Sequence, residues 1–186
     1  MKVSRERAAH NRDAVVEAAS RLFRSHGVDG VSIGEIMQES GLTHGGFYKQ
    51  FGSKEALAAE ACARALERGA ERWRGIIDAA APGDEVKALT QDYLSARNRD
   101  AAETGCALVA VGTDSARKGG ALATAFRGGM EGLADILTER TGDRSRALAH
   151  LSQMVGAMVL ARAVGDPALS EEILEAARGA LDAGPD

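Results

Sequence analysis

Residues 31–57 read Val-Ser-Ile-Gly-Glu-Ile-Met-Gln-Glu-Ser-Gly-Leu-Thr-His-Gly-Gly-Phe-Tyr-Lys-Gln-Phe-Gly-Ser-Lys-Glu-Ala-Leu. Three short helix starts and a glycine turn lie in that stretch. Ser32 and Glu35 stand at the spacing of a capping box, in which hydroxyl and carboxylate each satisfy an amide the other leaves open. Val31 before the cap and Ile36 inside the helix form a hydrophobic staple, and Ile33, Ile36 and Met37 share one face. Gly41 follows Ser40 where a chain leaving a helix turns left-handed, a conformation glycine adopts without a Cβ clash. A second start follows at Thr43, with Leu42 and Phe47 repeating the staple spacing, and Ser53 caps a third helix. Two short helices joined by a tight turn over a small shared core are the pattern of a helix-turn-helix.

In such a motif the second helix, here expected over residues 43–49, enters the major groove of DNA with its first residues nearest the bases. His44, Gly45 and Gly46 fall in that first turn. Each glycine costs a helix about 1 kcal/mol relative to alanine. Two readings of the pair stay open: close approach of backbone to DNA, or tight packing against a neighbouring helix. Tyr48 and Lys49 suit phosphate or base contacts. The free amides after Ser53, with Lys54, suit a phosphate.

Residues 41–57 resemble the DNA-binding signature of the TetR family of bacterial transcriptional regulators. Residues 12–30, with Ala18, Ala19, Leu22, Phe23 and a stop at Gly27, are similar to that family's first helix. The resemblance implies an all-α fold of about nine helices, with a three-helix DNA-binding head over residues 1–52 and an effector-binding and dimerisation body over residues 53–186. It implies DNA contacts from Ser32, Thr43, His44, Gly45, Gly46, Tyr48, Lys49 and Lys54, with Phe47 and Phe51 in the core. It also implies a homodimer on a palindromic double-stranded operator, a repressor released when a small effector occupies the body. Gly46 and Gln50 depart from the residues common in the family, so no operator sequence carries over. Beyond about residue 60 the likeness is one of length and helical layout.

At 186 residues and 45% hydrophobic content, the chain is able to bury a sizeable core. Charge divides unevenly: residues 1–54 hold eight Lys or Arg against six Asp or Glu, or +2, and the remaining 15 against 21 give the rest −6. Lys2, Arg5, Arg7 and Arg12 gather before the expected first helix, where a basic arm would run along a duplex; a solvated terminus is the plainer reading. An acidic body limits indiscriminate binding to nucleic acid. Met1–Asn11 has no apolar segment of the kind that leads secretion, and no run approaches a membrane span, which points to the cytoplasm without membrane partners. Two cysteines, Cys62 and Cys106, make no disulfide framework there. His10, His26, His44 and His150 are scattered away from cysteine, so neither a metal nor another cofactor is expected.

A long helical pattern runs from Ser53 toward Ala81, and Pro82 and Gly83 end it. Asp84 is placed to cap the next helix, residues 97–104 read as a loop, and a buried segment follows Cys106. Gly119, Gly120 and Gly142 bound a further helix, and two more complete the chain. In those two, Leu148, Leu151, Val155 and Met158, and then Ile173, Ala177 and Leu181, form apolar stripes. The resemblance assigns them to a dimer bundle; packing within one subunit is the alternative. Trp73, Tyr93, Cys106, Phe126, Met130, Met154 and Met158 are candidate walls of an effector pocket. Few polar groups accompany them, so an apolar effector is expected.

Cys106 after Gly105, near a helix start, also fits a thiol that senses electrophiles or oxidants, though free cysteine in an apolar run is commonly inert core. Enzyme activity is a rival from another class. No phosphate-cradling loop, nucleophile elbow or metal cluster is present, and Cys106 with His150 is the only thiol pair to consider. A helical protein-interaction adaptor would leave the first 57 residues without a purpose.

Overall fold

The computed structural model describes residues 5–183, with the side chain of His44 left out, and the described chain is helical with no strand. The head holds α1 (Arg5–His26), α2 (Ile33–Glu39), a 3₁₀ turn (His44–Gly46) and α3 (Phe47–Gln50). The body holds α4 (Lys54–Ala79), α5 (Glu85–Tyr93), α6 (Ala96–Asp100), α7 (Ala107–Lys118), α8 (Gly120–Thr141), α9 (Arg144–Ala163) and α10 (Pro167–Ala183). One buried apolar cluster runs through both parts, from Val15, Val16 and Phe47 in the head to Leu137, Met154 and Leu174 in the body.

Local chemistry accounts for most boundaries. Ser32 accepts from the Glu35 amide at 3.2 Å while its own amide donates to Glu35 Oε2 at 2.7 Å, completing the capping box. Ser53 caps α4 by accepting from the Ala56 amide at 3.1 Å. At the end of α2, Gly41 adopts φ +70°, and the Leu42 amide donates to the Met37 carbonyl at 2.9 Å.

Four expectations change. α1 is already helical at Arg5, so Arg5, Arg7 and Arg12 belong to it rather than to an arm, whereas Lys2 lies outside the described residues. The run from Arg5 to Ala9 consists of good helix formers, and Arg12 is held by Glu60 with its guanidinium 4.7 Å above the Phe51 ring. Residues 97–104 are not wholly loop, because Ser95 caps α6 by accepting from the Asn98 amide at 3.2 Å. A five-residue turn held by one cap carries no apolar period to betray it. Asp84 makes no side-chain cap; Glu85 Oε2 accepts from the Gly83 amide at 2.8 Å instead. Finally, Leu151, Met158, Ala177 and Leu181 are buried within the subunit, Val155 and Ile173 are half-buried, and Leu148 is exposed. α9 is apolar nearly all round, and such a helix buries one side in its own core while leaving a second apolar side outward.

The body is organised on the packing of α4 against α8. A Cβ added at Gly129 of α8 would fall 2.6 Å from Leu66 Cβ of α4, so glycine there sets how closely the helices approach. Adjacent Gly128 faces open space. Gly129→Val is therefore expected to lower unfolding free energy by about 1–3 kcal/mol through overpacking. Gly128→Ala should raise it by up to about 1 kcal/mol through helix propensity. Urea titration of both variants measures this, and effects of equal sign would refute the close approach.

Candidate nucleic-acid interface and internal cavity

The recognition segment is anchored by aromatic packing. Phe47 is fully buried and Phe51 nearly so, their rings stacked with centroids 5.6 Å apart. Tyr48 rests edge-on against Phe47 at 5.1 Å yet stays 66% exposed. One side of this short element is thus locked into the core and the other carries Tyr48 and Lys49 outward. The expected helix from Thr43 is in fact a 3₁₀ turn followed by the single α-turn of α3, and Thr43 caps only through its carbonyl, which accepts from the Gly46 amide at 3.2 Å. Two poor helix formers in succession leave the tighter turn without competition.

The glycine pair can now be decided within the chain. A Cβ added at Gly45 or Gly46 meets nothing within 4 Å, so neither glycine is required by packing against a neighbouring helix. Thr43 and Gly45 are exposed, and Lys54 is half-exposed at the first turn of α4. Ser32 is exposed, with its hydroxyl engaged in the capping box. The side chain of His44 lies outside the described part.

A cavity of about 210 Å³ opens between α1, α4, α5 and the N-terminus of α7. Trp73, Tyr93 and Cys106 line it, with the Trp73 and Tyr93 rings edge-on at 5.8 Å. Phe126, Met130, Met154 and Met158 do not border it; Met154 and Met158 are core. The expected scarcity of polar groups does not hold, because Arg24, Arg68, Arg72, Glu17 and Asp92 also reach its wall. Periodicity along single helices does not register residues brought in from α1.

Electrostatics differ around that wall. Arg68 pairs with Glu17, and Arg72 pairs with Asp92 at 2.7 Å. Arg24 instead donates only to carbonyls, Nε to Ser20 at 3.0 Å and Nη1 to Gly105 at 3.2 Å, and burial lowers its pKa against the pull of Glu17. Tyr93 is buried and its hydroxyl has no nitrogen or oxygen partner, with Cys106 as a polar neighbour. Burial pushes that phenol well above its usual range, nearby Cys106 adds to the shift, and Arg162 opposes it. Cys106 is half-buried at the N-cap position of α7, whereas burial pushes the Cys62 thiol up to about 11. His150 borders a different depression, with Asp143 and Gln153, so it does not share the cavity of Cys106.

Both ends of α7 hold the head. Arg24 of α1 reaches the Gly105 carbonyl just before it, and near its other end buried Asp114 accepts from the Val28 amide at 2.8 Å. Lys118 adds an ion pair to Asp29. Neither Arg24 nor Asp114 stood out in the sequence, where each is one charged residue on a helix and only the fold makes it a junction.

Residues 15–61 match the family model of bacterial regulatory proteins of the TetR family. An HTH-type transcriptional regulator of Staphylococcus aureus strain USA300 is 31% identical over 90 residues, covering 48% of this chain and 49% of that protein. The chain thus aligns with about half the length of the curated relatives it matches. A TetR transcriptional regulator from Chloroflexus aurantiacus J-10-fl superposes with a TM-score of 0.78 at 26% identity, over 94% of this chain and 95% of that one. A TetR-family regulator from Cytophaga hutchinsonii gives 0.79 at 20% identity, over 100% and 98%, a likeness of fold. With the capped three-helix head, the matched signature and this shared architecture in agreement, residues 15–61 carry the DNA-binding signature of the TetR family and the chain as a whole shares the fold of TetR-family regulators.

Proposed function

We propose that this protein is a sequence-specific DNA-binding transcriptional regulator, a repressor that acts as a homodimer on a palindromic operator and leaves it when the cavity is occupied. The observation that carries the reading is the outward face of the recognition element. Tyr48 and Lys49 project from a rigid aromatic base beside two glycines that no intramolecular contact requires. Uncovered glycines let a duplex backbone approach closely, and a helix N-terminus with Lys54 offers amides and charge to a phosphate. The head, taken as residues 1–52, would do the reading, and the body from residue 53 would carry the effector site and the dimer contact. Selection of bound fragments from a random duplex pool tests this, with inverted repeats expected, their half-sites one helical turn or a multiple apart. A pool that returns no enriched sequence would overturn it. Lys54→Ala should weaken binding to all duplexes alike and reduce the salt slope by about one unit. Lys49 or His44 substitutions should alter preference among operators.

Surface left uncovered in one subunit supports the dimer. Leu148, Val159 and Leu160 of α9 are exposed together with Leu169 of α10, and Ser152 and Gly156 lie on the same uncharged side of α9. A second copy is the natural cover for an apolar face on two adjacent antiparallel helices. Leu160→Asp is expected to halve the mass found by light scattering and to lower operator affinity, and an unchanged dimer would remove this face from the interface.

A second reading of the effector response concerns Cys106. Its half-buried sulfur stands in the cavity wall at the N-cap position of α7, where a small electrophile entering the cavity would meet it. Toward N-ethylmaleimide it would form an S–C bond across the double bond, the neighbouring carbon taking up a proton. One adduct per chain is expected at neutral pH, on Cys106 and not on buried Cys62, with loss of DNA binding. Adduct formation first at Cys62, or an equal response in Cys106→Ser, would exclude the thiol reading.

A further inference from the structure

The cavity wall collects hydrogen-bond donors that no carboxylate meets. The Tyr93 hydroxyl is buried with no nitrogen or oxygen partner and only the weakly accepting Cys106 sulfur as its polar neighbour, a state that costs a protein about 1–3 kcal/mol when no acceptor fills it. Arg24 donates only to backbone carbonyls, and the Glu17 that draws on its charge is paired with Arg68. The first turn of α7 opens onto the same space, because Gly105, Cys106 and Ala107 line it and no side chain caps the helix. Helix N-terminal amides favour an anion. The acids in the wall are already engaged: Glu17 by Arg68, and Asp92 by Arg72 and Arg97. Three guanidiniums thus stand against two carboxylates, and the unmatched one is Arg24. Trp73, Leu66 and Leu133 supply apolar lining. At about 30 Å³ per water, the cavity's 210 Å³ holds the equivalent of about seven waters, room for one ring rather than a drug-sized ligand.

We propose that this cavity takes a small organic carboxylate, its anionic end received by the Tyr93 hydroxyl, Arg24 and the first amides of α7, and its ring-sized apolar body by Trp73, Leu66 and Leu133. The inference rests on the reading of the cavity as the effector site and supplies the ligand's class. It replaces the purely apolar effector expected from the sequence with an amphipathic acid. A cation finds no free carboxylate here, and a ligand without an acceptor leaves Tyr93 and Arg24 unmet. Because Arg24 belongs to the head and binds Gly105, an acid at this point competes for the contact that joins α1 to α7.

Trp73 is the chain's single tryptophan, so its fluorescence reports on the cavity in the free protein without DNA. Benzoate and phenylacetate serve as acid probes and benzamide as the uncharged counterpart, with calorimetry as an independent measure. Saturable binding of at least one acid is expected, with benzamide at least about tenfold weaker than benzoate if benzoate binds. Tyr93→Phe should weaken acid binding by about tenfold or more while leaving the melting temperature unchanged or raised, since the lost hydroxyl has no nitrogen or oxygen partner in the free protein. Three results would each overturn the inference: benzamide binding as well as benzoate, undiminished acid binding by a folded Tyr93→Phe protein, or no saturable binding of either acid. Acid binding that leaves duplex affinity unchanged would uphold the carboxylate site and overturn the ligand-responsive reading instead.

Discussion

The buried carboxylate of Asp114 is the contact on which the relation of head to body turns. It accepts the Val28 amide at the turn that closes α1 and is charge-matched by Arg117 at 2.7 Å. A buried carboxylate without such partners would be strongly unfavourable, so the turn and α7 are obliged to stay together. Arg24 at the opposite end of α7 repeats the constraint with a backbone carbonyl. α7 is therefore a short strut between the cavity wall and the base of the DNA-reading element. Exposed ion pairs from α1 to α4, such as Asp13 with Arg64, add little beside these.

That arrangement links the cavity wall to the helix-turn-helix through a short chain of contacts. Cys106 and Ala107 begin α7 in the cavity wall, and Asp114 and Lys118 hold the far end to the loop before α2. α2 in turn leads through Gly41 to the 3₁₀ turn it packs against and to α3, whose Phe47 underlies Tyr48. Under the proposed function, an occupant that displaced the start of α7 would act on the head through that helix and these two polar contacts. α4 is fastened differently, against α8 at Gly129, where close packing resists independent movement.

Much of the head was legible because its signals are local. The capping box at Ser32 and Glu35, the left-handed Gly41 and the Ser53 cap each satisfy amides or carbonyls within a few residues, so spacing alone identifies them. The recognition segment was legible in place but not in form, since two adjacent glycines leave the choice between 3₁₀ and α to the fit of Phe47 in the core. In the body, helix limits at Gly119 and Gly142 followed from the sequence, while α6, held by a single serine cap, carried no periodic signal.

By itself the sequence determined the all-helical architecture, the helix-turn-helix and the residues it turns outward, because capping, glycine turns and apolar period act over one or two turns of chain. Only the tertiary structure decided which of two apolar sides of α9 faces inward, that Arg24 stands unmatched in a cavity with Tyr93, and that Asp114 joins the head to α7. Those outcomes depend on residues tens of positions apart meeting in a place where water is excluded. Burial, and with it the cost of an unsatisfied charge or hydroxyl, belongs to the packed fold rather than to any stretch of chain.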